Sequence, residues 1–296
     1  LMRTALKRSL NTPTIRVLQK ATIPFVAEFS RRLGIFSPLN MDLSLALGSS
    51  GVTLYEINKA ISVFANRGKR FSPLLIREVK DRTGEIILEN VSLDHRFQNQ
   101  LEAIEQEFEK KRVEYKEALE NYRKNSWKKP IAAEGETTEK PAEPPRNAFF
   151  FKNPDQLISP QTAYLITNMM QGVISEPDGT GGKAAAINRP AAGKTGTTSN
   201  YYDGWFLGFT PNISTTVWVG YDSERTIGRG LAGGKIAIPI WLPYMKFVHA
   251  NKPVTSFEMP RGIIYASINK DTGKPTEDPE MQIKIPFKKG TEPGTA

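Results

Sequence analysis

The first part of the chain alternates between a helical and a strand-like spacing of apolar positions. Apolar side chains recur every three or four positions from Leu54 to Phe64, directly after Thr53. This spacing predicts an α-helix with Thr53 as its N-cap. The apolar runs 74–79 and 86–88 flank a turn that contains glycine. Such an arrangement predicts a β-hairpin.

Another helix start is predicted close to the beginning of the chain. Thr12 is a suitable N-cap residue, and Pro13 suits the first helical position. Proline also disfavours helical backbone in the residue that precedes it. We therefore expect the preceding triplet Ser9-Leu10-Asn11 to lie on a loop between two helices.

Residues 93 to 125 carry the pattern of a long amphipathic helix. Because Lys111 interrupts the apolar stripe, a surface helix that packs on its own domain is the simpler interpretation. A docking element for a protein partner at 93–125 is the alternative. Residues 129–146 are rich in Pro, Glu, Ala, Thr and Lys and predict a flexible linker, because they bury too little to offset their ordering entropy. The stripe consists of Phe97, Leu101, Ile104, Phe108, Tyr115, Leu119 and Tyr122.

The region that follows the linker returns to a globular pattern. Ser159-Pro160 predicts a helix start, and a glycine-rich loop follows at 179–182. Three short apolar segments then come close together, which predicts an antiparallel meander because the connections are only a few residues long. The predicted strands are 191–197, 204–209 and 215–221.

These patterns together predict a mixed α/β fold, in which an antiparallel sheet is flanked by helices and a helical segment is inserted. We expect residues 1–92 and 149–250 to form the first and second parts of one domain. Residues 93–148 would form the insertion. Residues 251–296 would be a C-terminal extension with one weak strand at 262–268 and a loose final stretch of about twenty residues.

Composition excludes several classes of site. The chain contains no cysteine, which excludes disulfides and thiolate zinc sites. Its two histidines, His95 and His249, stand in no metal-ligand or catalytic spacing. We therefore expect no metal and no organic cofactor, and a Ser-His-Asp hydrolase is disfavoured.

The net charge of +9 favours polyanionic partners such as nucleic acid, anionic lipid or an anionic wall polymer. The basic residues are scattered and no nucleic-acid-binding motif accompanies them, so we expect no nucleic acid partner. The most apolar stretch, 230–248, is interrupted by lysines and prolines and is not expected to span a membrane. The first eight residues lack the apolar core of a signal peptide. Because the chain begins inside a helical pattern, we expect it to be a fragment.

The run Gly193-Lys194-Thr195-Gly196-Thr197-Thr198 carries candidate chemistry at the end of a predicted strand. Glycine lets a peptide backbone approach closely. The hydroxyls of Thr195 and Thr197 can hold a carboxylate, and the ammonium of Lys194 supplies positive potential for that carboxylate or a developing oxyanion. A substrate along this edge would bind by β-augmentation.

The residues around this run make the signal specific. Asp203-Gly204-Trp205-Phe206-Leu207-Gly208-Phe209-Thr210-Pro211 follows, and then Thr216-Val217-Trp218-Val219-Gly220-Tyr221-Asp222. Upstream stand Ser44-Leu45-Ala46-Leu47-Gly48 and 63–68. In this order the blocks resemble the transpeptidase domains of class A penicillin-binding proteins. The resemblance implies the fold shared by penicillin-binding transpeptidases and serine β-lactamases.

The family uses three motifs, S-x-x-K, S-x-N and K-T-G. Ser9-Leu10-Asn11 matches the second, and Lys194-Thr195-Gly196 matches the third. The resemblance implies that Ser9 relays a proton, that Asn11 binds the substrate amide and that Lys194 polarises Ser9. It also implies a carboxylate site at Thr195 and Thr197, extended by Gly196 and Thr198, and an oxyanion hole that includes the Thr197 N–H.

The first motif, which would supply the nucleophilic serine and its lysine, is expected outside this chain. Ser126-Trp127-Lys128-Lys129 and Ser267-Ile268-Asn269-Lys270 match its letters. The first follows S-x-N and the second follows K-T-G, whereas the family motif precedes both. Neither match has the apolar helical pattern that should follow the serine, so we expect neither to be the nucleophile.

The resemblance implies acyl transfer between peptidoglycan stem peptides through a serine ester, with β-lactam antibiotics as covalent inhibitors. It implies an envelope location on the outer, periplasmic face of the cytoplasmic membrane. A membrane anchor and a glycosyltransferase domain are expected only in a missing N-terminal part. A β-lactamase or penicillin sensor on the same fold and a non-catalytic envelope module remain alternatives. The 296 residues alone are expected to be inactive.

Overall fold

The computed structural model describes residues 1–126, 153 and 155–294. The chain divides into two compact units. The first unit consists of Leu1–Phe71 together with Asp155–Ala296, and the second consists of Ser72–Pro154. The second unit begins at Ser72, before the insertion predicted at 93, because the hairpin groups with the inserted residues. The assignment of the predicted ranges as domains stays a prediction.

Eight α-helices and seven β-strands occur in the described residues. The helices are α1 Met2–Arg8, α2 Asn11–Ala21, α3 Ile23–Arg32, α4 Leu54–Ala65, α5 Gln98–Ser126, α6 Pro160–Ser175, α7 Gly233–Ile236 and α8 Ile238–His249. The strands are β1 Leu74–Lys80, β2 Ile86–Ser92, β3 Ala192–Thr197, β4 Asp203–Phe209, β5 Ser214–Gly220, β6 Ile263–Asn269 and β7 Gln282–Lys288.

The predicted start of α4 is confirmed. Thr53 accepts a hydrogen bond from the Glu56 N–H, and the Glu56 carboxylate accepts one from the Thr53 N–H, so that a capping box is formed. Glu56 is almost fully buried, and it also accepts from the N–H groups of Phe36 and Ser37, each at 2.8 Å. This carboxylate therefore fixes the chain before α4 to the start of the helix.

The predicted start of α2 is wrong. The helix begins at Asn11 with Leu10 as its N-cap, so Thr12 has helical backbone despite the proline that follows it. Pro13 is tolerated because the N–H groups of a first helical turn have no intrahelical acceptor. The steric bias that proline imposes on its predecessor disfavours helix without excluding it.

Strands β3, β4 and β5 form an antiparallel sheet in that order, which confirms the predicted meander. Trp205 pairs with Trp218 across β4 and β5, with ring centroids 6.2 Å apart. Cross-strand aromatic pairs of this kind stabilise a register. In the described residues β3 has a partner on one edge only, and its other edge is open.

Helices cover both faces of this sheet. Phe206 packs edge-on against Trp241 of α8 at 5.0 Å between ring centroids, and both side chains are fully buried. Phe209, three positions further along β4, packs on the opposite face with Met170 of α6. Residues an odd number of positions apart in a strand face opposite ways, so β4 joins two apolar layers.

The second unit contains the β1–β2 hairpin and α5. The hairpin pairs Val79 with Leu88 and is exposed along nearly its whole length. Helix α5 confirms the amphipathic helix predicted from residue 93, although it starts at Gln98 after a short 3-10 turn, Leu93–Phe97. The linker predicted at 129–146 lies outside the described residues.

The C-terminal region departs from the prediction. The weak strand predicted at 262–268 is present as β6, but it pairs with a second strand, β7, inside the stretch expected to be loose. The β7 sequence Gln-Ile-Lys-Ile-Pro-Phe-Lys alternates polar and apolar residues, a strand signal that the surrounding Pro and Lys content obscured. No helix among the described residues is long and apolar enough to cross a membrane.

Candidate active site

Ser9 occupies a strained position at the end of α1. Its backbone has φ 56° and ψ 49°, in the left-handed region that glycine usually occupies. The Ser9 N–H donates to the Leu6 carbonyl, and the Leu10 N–H donates to the Ala5 carbonyl at 2.9 Å. These two bonds are those of a Schellman motif, which ends α1 sharply and turns the Ser9 side chain out.

Lys194 of β3 reaches this serine. Its Nζ donates to Ser9 Oγ at 2.8 Å and to the Thr195 carbonyl oxygen at 2.8 Å. The structure therefore brings together the serine of the predicted S-x-N triplet and the lysine of the predicted K-T-G triplet. Their catalytic roles stay a prediction.

The contact lies at the open edge of β3. The Thr198 N–H donates to the Asp203 carbonyl at 3.3 Å, towards β4. Because successive N–H groups of a strand point to opposite edges, the Thr197 N–H points to the open edge. The Thr195 carbonyl, which Lys194 contacts, also points there. A hydroxyl, an ammonium and an unpaired backbone donor thus line one edge.

Burial lowers the pKa of Lys194 to about 8. A buried ammonium loses hydration that neither Ser9 nor a backbone carbonyl fully replaces, which favours the neutral amine. The Lys194 amine is therefore close to its titration point at neutral pH. An amine in this condition serves both as an electrostatic group and as a proton donor or acceptor.

The threonines of β3 have structural partners of their own. Thr195 Oγ1 donates to Thr180 Oγ1 at 2.7 Å, and Thr197 Oγ1 accepts from the Gly233 N–H at 2.9 Å. Thr198 Oγ1 accepts from two N–H groups of the following turn, at Tyr202 and Asp203, each at 2.9 Å. Because a hydroxyl that accepts can still donate, the protons of Thr197 and Thr198 remain available to a ligand.

Gly196 and Asn11 complete the set of predicted site residues. A Cβ on Gly233 would overlap the Gly196 carbonyl oxygen, so α7 approaches the strand directly at this glycine. Asn11 is the exposed first residue of α2. Within the described part of the chain no hydrogen bond joins its amide to Ser9 or Lys194. The structure thus joins Ser9 and Lys194 by a hydrogen bond and, in the described residues, shows none from Asn11 to either.

Sequence reasoning missed the group that fastens α1. Glu176, the C-cap residue of α6, forms ion pairs with Arg3 and Lys7, and Lys7 Nζ lies 3.1 Å from its Oε2. The signal was present, because an acidic residue at a helix C-terminus opposes the helix dipole. Thr180 was missed as well, since one hydroxyl in a glycine-rich loop carries no pattern.

Of the two S-x-x-K matches, the one that lies wholly within the described residues, Ser267 to Lys270, lacks the geometry of a nucleophile with its base. Ser267 lies within β6, and Lys270 Nζ donates to the Glu280 carbonyl at 3.0 Å. Ser126 is the last residue of α5, and its lysines lie outside the described residues. A serine and a lysine three positions apart meet when both lie on one helix, and Ser267 does not lie on a helix.

His249 is part of the core. Its Nδ1 lies 2.8 Å from the Met245 carbonyl oxygen, and its Nε2 lies 3.0 Å from Thr210 Oγ1. A carbonyl only accepts, so Nδ1 carries a proton and donates to Met245, and Nε2 forms the second hydrogen bond with the Thr210 hydroxyl. Both ring nitrogens are thus used in structural hydrogen bonds.

Comparison with known proteins gives consistent matches. The family model for the penicillin-binding protein transpeptidase domain matches residues 152–246. The chain is 36% identical over 275 residues to penicillin-binding protein 1A of Pseudomonas aeruginosa, covering 92% of this chain and 32% of that protein. It is 32% identical over 292 residues to penicillin-binding protein 1A of Aquifex aeolicus, covering 99% of this chain and 32% of that protein.

Solved structures agree with these matches. Penicillin-binding protein 1A from Haemophilus influenzae superimposes with a TM-score of 0.71 at 28% identity, covering 98% of this chain and 40% of that one. PonA1 from Mycobacterium tuberculosis, at TM-score 0.59 and 19% identity, covers 87% of this chain and 58% of that one and shows the shared fold alone. The chain spans about a third of the length of the curated relatives, 32% in each case. The alternatives of a β-lactamase, a penicillin sensor and a non-catalytic module are not favoured.

Proposed function

The chain belongs to the penicillin-binding protein transpeptidase family, and we propose that it forms part of a D,D-transpeptidase. Such an enzyme cross-links peptidoglycan stem peptides. The observation that carries the proposal is the 2.8 Å contact from Lys194 Nζ to Ser9 Oγ at the open edge of β3. An extended peptide can add to such an edge as a further strand. Its reacting carbonyl would then lie beside the Thr197 N–H.

The reaction has two acyl-transfer steps. A serine oxygen attacks the carbonyl of the penultimate D-Ala, the C–N bond to the terminal D-Ala breaks, and the released amine takes up a proton. The amine of a second stem peptide then attacks the serine ester. The ester C–O bond breaks, the amine loses a proton, and the serine recovers its own.

Each predicted site residue receives a role in this reaction. Ser9 passes a proton to the leaving amine, and Lys194 controls that transfer through its hydrogen bond to Ser9. Asn11 binds the amide of the stem peptide. Thr197 receives the terminal carboxylate, joined by Thr195 once its hydroxyl proton turns away from Thr180, and the Thr197 N–H stabilises the oxyanion. Gly196 and Thr198 shape the adjoining strand and turn.

The nucleophilic serine would come from a segment outside these 296 residues. This part of the proposal is supported by the position of Ser267 in a strand and of Ser126 at a helix end. The lysine of that segment would act as the base for acylation. β-Lactams would acylate the same serine, because their strained amide presents a carbonyl to the same groups.

A fluorescent penicillin tests the proposal. The 296-residue chain should not retain the label after denaturing electrophoresis, whereas a longer protein that joins it to an S-x-x-K segment should. Ser267→Ala and Ser126→Ala in the isolated chain are matched controls, because any label at those serines would disappear with them. Covalent labelling of the isolated chain would overturn the assignment of the nucleophile. A longer protein that is never labelled would overturn the proposed function.

The location is also a proposal. We infer from the resemblance to this family that the catalytic groove would lie outside the cytoplasmic membrane, on the periplasmic face, where stem peptides would be available. A membrane anchor and a glycosyltransferase domain would lie in parts of the protein outside this chain. A protein partner at 93–125 stays a prediction, since α5 is described within its own unit.

A further inference from the structure

One carboxylate joins α1 to α6. The Glu176 Oε1 accepts from Arg3 Nε at 2.5 Å, and Lys7 Nζ lies 3.1 Å from Oε2, so each oxygen holds one cation. Arg3 Nη1 also donates to the backbone and side-chain oxygens of Asn168, at 3.0 and 2.7 Å. Only 13% of the Arg3 side chain and 14% of the Lys7 side chain is exposed, so solvent screens these pairs weakly.

The position of Glu176 is unfavourable for its own helix. The C-terminus of α6 carries a partial negative charge, and a carboxylate there adds charge of the same sign. Burial raises the pKa of Glu176, whereas Arg3 and Lys7 lower it, and the net direction is downward. The carboxylate is thus held ionised by the two cations of α1. Its contribution to the structure is the link between α1 and α6.

Helix α1 is held in place by tertiary contacts, which include the Glu176 ion pairs and the packing of Leu6 against the cluster of Met170 and Phe209. It has seven residues, of which only Ala5 is buried. A helix this short is marginal in isolation, so its orientation comes from tertiary contacts. Ser9 follows α1 directly, and the Lys7 carbonyl accepts from the Thr180 N–H at 3.3 Å, two residues before the serine.

Helix α6 supports both halves of the Ser9–Lys194 contact. It packs against α1 on one side and against β3, which carries Lys194, on another. Glu176 is therefore the fixed point from which α1 places Ser9 relative to β3. We propose that Glu176 is a positioning residue that holds the Ser9 hydroxyl against Lys194 and so sets proton transfer in the groove. The effect on catalysis rests on the proposed function, whereas the effect on geometry does not.

The geometric part is testable in the 296-residue chain by titrating Lys194 with NMR of its 13Cε. The structure gives the wild-type lysine a pKa of about 8. In Glu176→Gln, α1 is released, water reaches the Lys194 amine, and its pKa should rise by about one unit or more towards the ordinary value. Loss of a nearby negative charge would by itself lower a lysine pKa, so the sign of the shift separates positioning from direct electrostatics.

Asp178→Asn is the matched control. Asp178 pairs with Arg8 at 2.9 Å only two residues from Glu176, and the substitution removes the same charge. Both members of that pair are at least half exposed, so little depends on it. In Asp178→Asn the pKa of Lys194 should therefore equal that of the wild type. An unchanged or lowered pKa in Glu176→Gln would overturn the proposal.

Two further measurements keep the proposal testable. If Glu176→Gln does not fold, Glu176→Asp retains the charge but is too short to reach both cations, and it should give a smaller rise in the Lys194 pKa. In a longer protein that carries the nucleophile, Glu176→Gln should reduce the penicillin acylation rate constant about tenfold or more and leave the non-covalent Kd unchanged. If non-covalent affinity for penicillin and the acylation rate constant fell by the same factor, Glu176 would have a merely structural role and the proposal would be overturned. A wild-type protein that does not acylate would overturn the proposed function and leave the Lys194 titration valid.

Discussion

Lys194 and Ser9 are 185 positions apart in the chain, and Lys194 Nζ donates to Ser9 Oγ at 2.8 Å. The contact joins Lys194, the single lysine of β3, to a serine whose backbone conformation is strained. Two elements, α1 and β3, must both be in place for it to form.

The first prediction concerns the contact itself. Ser9→Ala and Lys194→Met should each lower the penicillin acylation rate constant of a nucleophile-containing protein by about 10²–10³, because each removes one half of the proposed proton-transfer pair. The double variant should be hardly slower than either single one, since residues that act as a unit are not additive. Stopped-flow acylation measures this. Additive losses would show that the two side chains act independently.

The second prediction concerns pH. Because the pKa of Lys194 is lowered to about 8, the unfolded chain binds more protons than the folded chain between about pH 8 and 10.5. The stability of the folded chain should therefore rise with pH across that window, and below pH 8 the cost of burying the charge is fully present. Urea unfolding at several pH values, with Lys194→Met as the control, measures the slope. A slope that is the same in both proteins would contradict the prediction.

The third prediction concerns acid. The pKa of Glu56 is lowered to about 2. Burial raises this pKa, but hydrogen bonds from Ser37, Thr53 and Phe36 outweigh that effect and lower it. Its stabilising contribution, about 3 kcal/mol from the size of the shift, should be present above pH 4.5 and lost as the pH falls towards 2. Glu56→Gln should show a correspondingly weaker dependence of its free energy of unfolding on pH in this range.

The fourth prediction concerns close backbone approach. In Gly233→Ala the new Cβ would overlap the carbonyl oxygens of Gly196 and Trp205, so α7 must move away from β3. We expect a loss of about 1–3 kcal/mol and a weakened hydrogen bond from the Gly233 N–H to Thr197. Gly182→Ala is the control, because no atom lies within 4 Å of its added Cβ. The Tm of Gly233→Ala should be clearly lower than that of Gly182→Ala. Equal Tm values would contradict the predicted clash.

The elements predicted best are those in which local signals agree. Thr53 and Glu56 form the capping box that a helix start requires, and the predicted meander matches β3 to β5 within one or two residues. The start of α2 was misplaced because the effect of Pro13 on Thr12 is a bias that packing overrides. Strand β7 was missed because its alternation is short and lies among Pro and Lys residues.

The site was predictable in part. The motif residues Ser9 and Lys194 were found through the family resemblance, and the structure brings them into contact. Glu176 and Thr180 were not found, because their partners Arg3 and Thr195 are far away in the sequence. The acidic residue at the end of α6 is a local signal, but it does not identify a partner. The role of an ion pair between α1 and α6 becomes visible only when both helices are placed.

The left-handed backbone of Ser9 limits which residues can replace it. Glycine and asparagine adopt φ 56° with least strain, but neither brings an aliphatic hydroxyl. Threonine would bring the hydroxyl, but its branched Cβ fits that conformation poorly. If Ser9 has the proposed proton-relay role, an organism under antibiotic pressure therefore has almost no single-residue change at this position that keeps both the turn and the hydroxyl, and we expect escape variants to arise around the groove instead.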